Sequence, residues 1–223
     1  MIATDAIWII ITLSFLTYFL VSWVYKGLGI PNLQQALLVR NGLQLLNLKH
    51  SLGIALFGVL FYVIIPELRV LIETIEIPRL YVLIPFIIIV FTSAYLSYLS
   101  IQNKVIKNHV ISDCKISKSW FYFIIRFIFL LSYEFYFRGV LLYTFLECVS
   151  VKMAILYSTL AYFVMHVFDS KEEILGAIPF GVILCVITYL TNSVWYAFLI
   201  HLALLAVYEI SIFYYLTLNK SIS

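Results

Sequence analysis

The hydrophobic positions of this chain fall in long runs separated by short polar connections: Ala6 to Tyr25, Leu52 to Ile65, Leu80 to Ile101, Trp120 to Val149, Met153 to Phe168, Ile174 to Leu190 and Val194 to Leu216. Neither the alternation of a half-buried strand nor the single apolar stripe of a surface helix describes them. Most approach the roughly twenty residues a helix needs to cross the hydrocarbon core of a bilayer. The pattern predicts an all-α fold, a polytopic transmembrane helical bundle of about seven to eight spans. The second run is short and is expected to begin a turn earlier, near Leu48. The fourth would be about 45 Å long as a straight helix at 1.5 Å per residue, so it must tilt or break. Gly139 is the expected break, because Gly weakens a helix interior by about 1 kcal/mol relative to Ala.

Composition turns this pattern into a class. With 64% hydrophobic residues, 17% aromatics, 11% charge and a mean hydropathy of +1.07, the chain is not a water-exposed globule. Its 223 residues make one membrane domain. Residues 1–118 hold the N-terminal spans and their connections, 119–216 the core bundle with the candidate chemistry, and 217–223 a C-terminal tail. The lipid bilayer is the first partner implied, and no nucleic acid is. Cys114, Cys148 and Cys185 are scattered singly, so neither a disulfide framework nor a thiolate metal site is indicated. The first run carries Asp5 before it and no Lys or Arg, so it reads as a span and not as a cleaved signal.

Basic residues set an orientation. Lys26, Arg40 and Lys49 follow the first span, and Lys104, Lys107, Lys115 and Lys118 follow the third, which places both connections on the cytoplasmic side. Arg69 and Arg79 are diluted by Glu67, Glu73 and Glu76, so that connection lies outside. The expectation is a multi-pass protein of the cell membrane with its N-terminus outside and its C-terminus cytoplasmic. Lys152 and Lys171 add little for the C-terminal half.

Against this apolar background the segment Tyr133-Glu134-Phe135-Tyr136-Phe137-Arg138-Gly139 stands out. A charge at membrane depth costs at least about 2.5 to 3.5 kcal/mol, so an intramembrane ionisable residue is a site hypothesis by default. Glu134 and Arg138 at i and i+4 share a helix face and partly neutralise each other. His166 and His201 fall on two further spans, and Asp169, Glu172 and Glu173 lie on the polar connection after His166. Polar groups on three spans are expected where a site is assembled inside a bundle. Arg126 and Glu147, near the ends of the long fourth run, are expected to snorkel toward the interface.

Two chemistries fit one carboxylate with two imidazoles. Glu134 in an apolar helix can act as a general base on water, with the histidines stabilising a tetrahedral oxyanion, and so hydrolyse an amide. Alternatively Glu134, His166 and His201 bind Zn²⁺ and leave a fourth position for water. The residues alone leave both open. There is no H-E-x-x-H, no G-x-S-x-G and no Gly-rich phosphate loop.

These residues resemble the CPBP membrane proteases, the CAAX-protease and bacteriocin-processing (Abi) family. Glu134 to Gly139, read as E-x-x-x-R-G, looks like its first motif, whose fuller form is E-E-x-x-x-R. Tyr162-x-x-x-His166 resembles the second, and Ala177-Ile178-Pro179-Phe180-Gly181 through Thr191-Asn192-Ser193-Val194-Trp195 to His201 resembles the third. The match covers about Trp120 to Glu209. The resemblance implies an intramembrane endopeptidase acting on a peptide or lipid-anchored protein near the membrane surface, with Glu134, Arg138, His166 and His201 in its site and no metal or other cofactor. Two departures matter: Tyr133 stands where the first Glu of the doublet is usual, and Leu205 where Asn or Asp commonly follows the last His. A branch of the family carries an aromatic at the first position, with acidic residues at places that Glu173 and Glu209 fit, which makes Glu173 the candidate second carboxylate. The same departures keep alive a non-catalytic relative acting in bacteriocin self-immunity or as a membrane partner.

A shared site also demands a particular depth. In a plain hairpin His166 lies within about two residues of the end of its span, while His201 lies roughly 10 Å in from the opposite face. To meet, the segment from Phe168 to Gly176 must dip inward and line a water-filled cavity, since irregular backbone at membrane depth is tolerated only there. The expectation is a cavity, open to the cytoplasm, holding Glu134, His166, Glu173 and His201 about one side-chain length apart. One substrate carbonyl and its attacking water require the histidines to lie within about 12 Å of each other.

Overall fold

The computed structural model describes residues 4–105, 120–169 and 171–218 of the chain, and among them every regular element is helical. Seven principal helices follow one another: α1 Thr4–Gly27, α2 Gly42–Ile64, α3 Leu80–Val105, α4 Trp120–Leu146, α5 Val151–Met165, α6 Lys171–Thr191 and α7 Val194–Leu218. Six are long and apolar enough to cross a membrane, and α5 is a shorter apolar helix. A turn of helix at Leu33–Ala36 and two more at Pro66–Arg69 and Val70–Glu73 lie in the connections. Cys114, Lys107, Lys115 and Lys118 lie outside the described residues, as do the side chains of Lys104, Lys171 and Glu172.

The bundle is assembled around aromatic side chains on α2 and α4. Phe57, Phe61, Phe135, Tyr136 and Phe137 are fully enclosed, and the Tyr136 hydroxyl donates to the Ile11 carbonyl of α1 at 2.9 Å. Small residues let the backbones approach, as membrane helix interfaces require where lipid offers no hydrophobic drive. A Cβ at Gly58 would stand 2.4 Å from Ser132 Oγ, and one at Gly181 would meet Thr159 and Tyr162 at 3.0 and 3.1 Å. These contacts close α2 on α4 and α6 on α5. The largest helix pairing joins α3 to α7, so the N-terminal spans and the core bundle form one body. Phe91, Tyr81 and Leu80 of α3 point outward, as lipid contact demands.

Three boundaries differ from the sequence expectation, each for a physical reason. α2 begins at Gly42, well before Leu48, because polar residues of its first turns face inward: His50 is 4% exposed and has a partner on α4. α4 does not break at Gly139. It widens into a π-helix over Phe135–Leu141, a form that concentrates at functional sites, and Ser158 of α5 donates to the Phe137 carbonyl within that turn at 2.7 Å. α5 ends at Met165 with His166 as its C-cap, short of Phe168, whereas α6 is already helical from Lys171. Residues 171–176 are thus the first turns of α6 and not an irregular dip. α5 is a short helix of 15 residues, and His166 at its end still comes within reach of α7 across the ring of Tyr162.

Candidate active site

The π-turn of α4, the end of α5 and the first half of α7 converge on one polar centre. Glu134 and Arg138 are both 0% exposed. One carboxylate oxygen of Glu134 accepts from His201 Nδ1 at 2.5 Å, and the other lies 3.2 Å from Arg138 Nη1. The second contact is ionic without hydrogen-bond alignment, and among the described residues no Arg138 nitrogen has a hydrogen-bond partner. The guanidinium instead stacks on Tyr162, with its central carbon 4.0 Å from the ring centroid. Stacking of this kind is worth about 2 kcal/mol or more once the cation is desolvated.

Tyr162 ties the second motif to the first. Its backbone carbonyl accepts from His166 Nδ1 at 2.8 Å, and its ring lies 4.3 Å from the His166 ring and 6.5 Å from the His201 ring. The two imidazole centres are therefore closer than the sum of those distances, inside the roughly 12 Å that one carbonyl and its water can bridge. Both partners fix a tautomer: each histidine donates from Nδ1, so each neutral ring keeps Nε2 as an acceptor. Tyr133 stands between them, 6.4 Å from His166 and 6.5 Å from His201 by ring centroids.

A cavity of about 600 Å³ runs along this centre, and Tyr133, Tyr162, His166, Glu173 and His201 all border it. Glu134 does not. The expected grouping of four residues is corrected to three on the wall, with Glu134 enclosed behind His201 because both its oxygens are taken up by α4 and α7 partners. Glu173 is an exposed residue of the first turns of α6, near Asp169 on the same wall. Burial and then the Glu173 charge push the Asp169 carboxyl up to about 6. Leu205 also lines the cavity, so the position where Asn or Asp is common is apolar but correctly placed. Among the described residues no group of three or more His, Cys, Asp or Glu is placed to hold a metal ion. Glu134 meets His201 at Nδ1, which makes it an outer partner of that ring and not a third ligand beside it.

Two residues were misplaced or missed by sequence reasoning. Arg126 does not snorkel: its Nε donates to Glu209 Oε1 at 2.9 Å and its Nη1 lies 3.3 Å from His50 Nε2. Glu147 is exposed at the end of α4, as expected of an interface residue. Tyr162 was legible only as a motif letter, and its contact with Arg138 has no sequence signal.

No curated protein and no solved structure matches the chain. Residues 115–207 match the family described as type II CAAX prenyl endopeptidase Rce1-like, a segment that carries α4, α5, α6 and both histidines. This is the protease family that the three motifs resemble, and over these residues the chain is similar to the Rce1-like type II CAAX prenyl endopeptidases.

Proposed function

We propose that the chain is a working intramembrane endopeptidase of the cell membrane, and that the Glu134–His201 pair is its base. The observation that carries this reading is the 2.5 Å contact between an enclosed carboxylate and a histidine that borders the cavity. Water in the cavity gives a proton to His201 Nε2 and attacks the substrate carbonyl carbon. Glu134 holds the resulting imidazolium, as an orienting carboxylate does in a catalytic triad. His166 Nε2, also an acceptor, aligns the water. The Tyr133 hydroxyl donates to the oxyanion, which gives a use to the aromatic that replaces the first motif carboxylate. The His201 proton then passes to the leaving nitrogen as the C–N bond breaks. Glu173 remains the proposed second carboxylate, since it reaches cavity water where Glu134 does not. The substrate is a peptide or lipid-anchored protein, and no metal or cofactor takes part.

Lys26 supports an orientation for this site. Its ammonium donates to the carbonyl of Phe168, a residue of the cavity wall, at 3.2 Å, which puts the end of α1 beside that part of the cavity. Lys26 belongs to the basic connection that the positive-inside rule assigns to the cytoplasm. The N-terminus is accordingly outside, the C-terminus inside and the cavity open to the cytoplasm. A periplasm-dependent reporter fused to the C-terminus is expected to stay inactive, and an active one would reverse the assignment.

One observation favours the other reading, a non-catalytic relative acting in self-immunity or as a membrane partner: no carboxylate stands at Tyr133. The deciding experiment is cleavage of membrane-anchored fluorogenic peptides, prenylated and plain, by purified protein in lipid nanodiscs. His201→Ala and His166→Ala are each expected to lower the rate at least about 10²-fold, within the range for loss of an acid–base group. Equal rates for wild type and both variants would leave the non-catalytic reading. Elemental analysis of the same preparation is expected to find no stoichiometric zinc, and one zinc per chain lost with His166→Ala would assign the metal alternative.

A further inference from the structure

The helices α4 and α7 are joined by two polar rungs. Glu134 pairs with His201 at one, and Arg126 pairs with Glu209 at the other. Both intervals are eight residues, from 126 to 134 on α4 and from 201 to 209 on α7, so the helices run antiparallel in a single register. The rungs are about 12 Å apart at 1.5 Å per residue. Between them Phe129, Leu130 and Tyr133 of α4 and Leu204, Leu205 and Tyr208 of α7 border the cavity. The other contacts between the two helices are aromatic, Phe127 with Phe198 at 4.9 Å and Phe213 with Phe123 and Tyr122 at 5.1 and 6.0 Å between ring centroids, and ring packing is less exacting in register than a hydrogen-bonded ion pair. A slip of one residue moves a side chain by about 1.5 Å, more than a hydrogen bond tolerates.

We propose that Arg126 and Glu209 are positioning residues: a register clamp that holds α4 against α7 so that Glu134 meets His201. His50 extends the clamp to α2 through its 3.3 Å contact with Arg126, and the α2 backbone is already closed on α4 where a Cβ at Gly53 would overlap Phe129. A buried ion pair contributes little net stability compared with apolar residues of the same size, and fixing one register is its best-attested use. Arg126, Glu209 and His50 all border the cavity, with the Arg126 side chain 22% and the Glu209 side chain 6% exposed, so the clamp sits on the wall that the two helices share.

The effect of the clamp on cleavage rests on the endopeptidase reading, but its effect on the Glu134–His201 bond does not. Short charge-assisted hydrogen bonds carry a low-field proton, so the His201 Nδ1–H resonance of ¹⁵N-histidine-labelled protein, assigned by its change in Glu134→Gln, reports the register directly. In the apolar double variant Arg126→Met/Glu209→Met we expect that resonance to be lost. We also expect kcat to fall at least tenfold, with KM within twofold and a melting temperature close to wild type. The exchanged pair Arg126→Glu/Glu209→Arg restores both resonance and kcat to within about threefold of wild type, because register depends on the pairing and not on which helix bears which sign. A folded apolar double variant with wild-type resonance and kcat overturns the clamp. Should that variant not fold, the exchanged pair decides: a folded protein lacking the resonance overturns it equally. A wild type that shows the resonance and cleaves nothing refutes the endopeptidase reading and leaves the clamp standing.

Discussion

Glu134→Gln is expected to lower kcat for peptide cleavage by about 10² to 10⁴ and to leave KM nearly unchanged. Gln has the shape of Glu and can still accept from His201 Nδ1, so the ring keeps its place and its tautomer. What disappears is the negative charge that stabilises the imidazolium formed as water is deprotonated. In an interior of low dielectric that charge is worth far more than it would be in water. KM is spared because Glu134 is enclosed behind His201 and does not border the cavity that a substrate would enter. A carboxylate in direct contact with water and substrate would move both constants. Cleavage within threefold of wild type would remove Glu134 from the chemistry, and a large rise in KM would place it on the wall after all. Glu173→Gln makes the complementary measurement, since Glu173 does border the cavity.

The residues of this centre were readable in the sequence because each violates its surroundings. A carboxylate, a guanidinium and two imidazoles on apolar helices are costly, so their positions carry information that apolar positions do not. The all-helical class followed from the same contrast, and the expected seven to eight spans roughly match six long apolar helices and one shorter one. What the sequence could not convey was depth and direction. The end of α5 at Met165 is invisible to hydropathy because Val167 and Phe168 continue the apolar run. Glu134 faces His201 while its neighbour Tyr133 takes the cavity wall, and the π-turn over Phe135–Leu141 that follows resets the phase of Arg138 and the residues after it in a way that no residue pattern signals. α2 was read short because hydropathy counts His50 and Lys49 against a span even when the histidine is turned inward. Arg126 was read as an interface residue because its partner Glu209 is 83 positions away. Pairings of that kind belong to tertiary structure, and an eight-residue interval repeated on two helices becomes meaningful only once their antiparallel contact is known.

Arg138→Ala is expected to destabilise the folded bundle by about 3 to 5 kcal/mol, the usual cost of stranding one member of a buried ion pair. Arg138 is fully enclosed, and its two partners are the Glu134 carboxylate at 3.2 Å and the face of Tyr162 at 4.0 Å. Alanine removes the cation from both. It leaves Glu134 a buried charge compensated only by His201, and it opens a void beneath the Tyr162 ring. Because the Tyr162 carbonyl holds His166, relaxation into that void also disturbs the second histidine. Arg138→Lys keeps the charge but not the planar group that stacks, so it should recover part of the stability and little of the activity. The double variant Glu134→Leu/Arg138→Met separates the two roles. With no charge left to compensate, its unfolding midpoint should return close to wild type, since apolar replacement of a buried pair is often neutral or stabilising. Its cleavage activity should stay lost, because the carboxylate behind His201 is gone. Thermal unfolding and cleavage, measured on the three variants in the same nanodiscs, test this ordering. A stable, fully active Arg138→Ala protein would show that the ion pair is dispensable for both fold and chemistry.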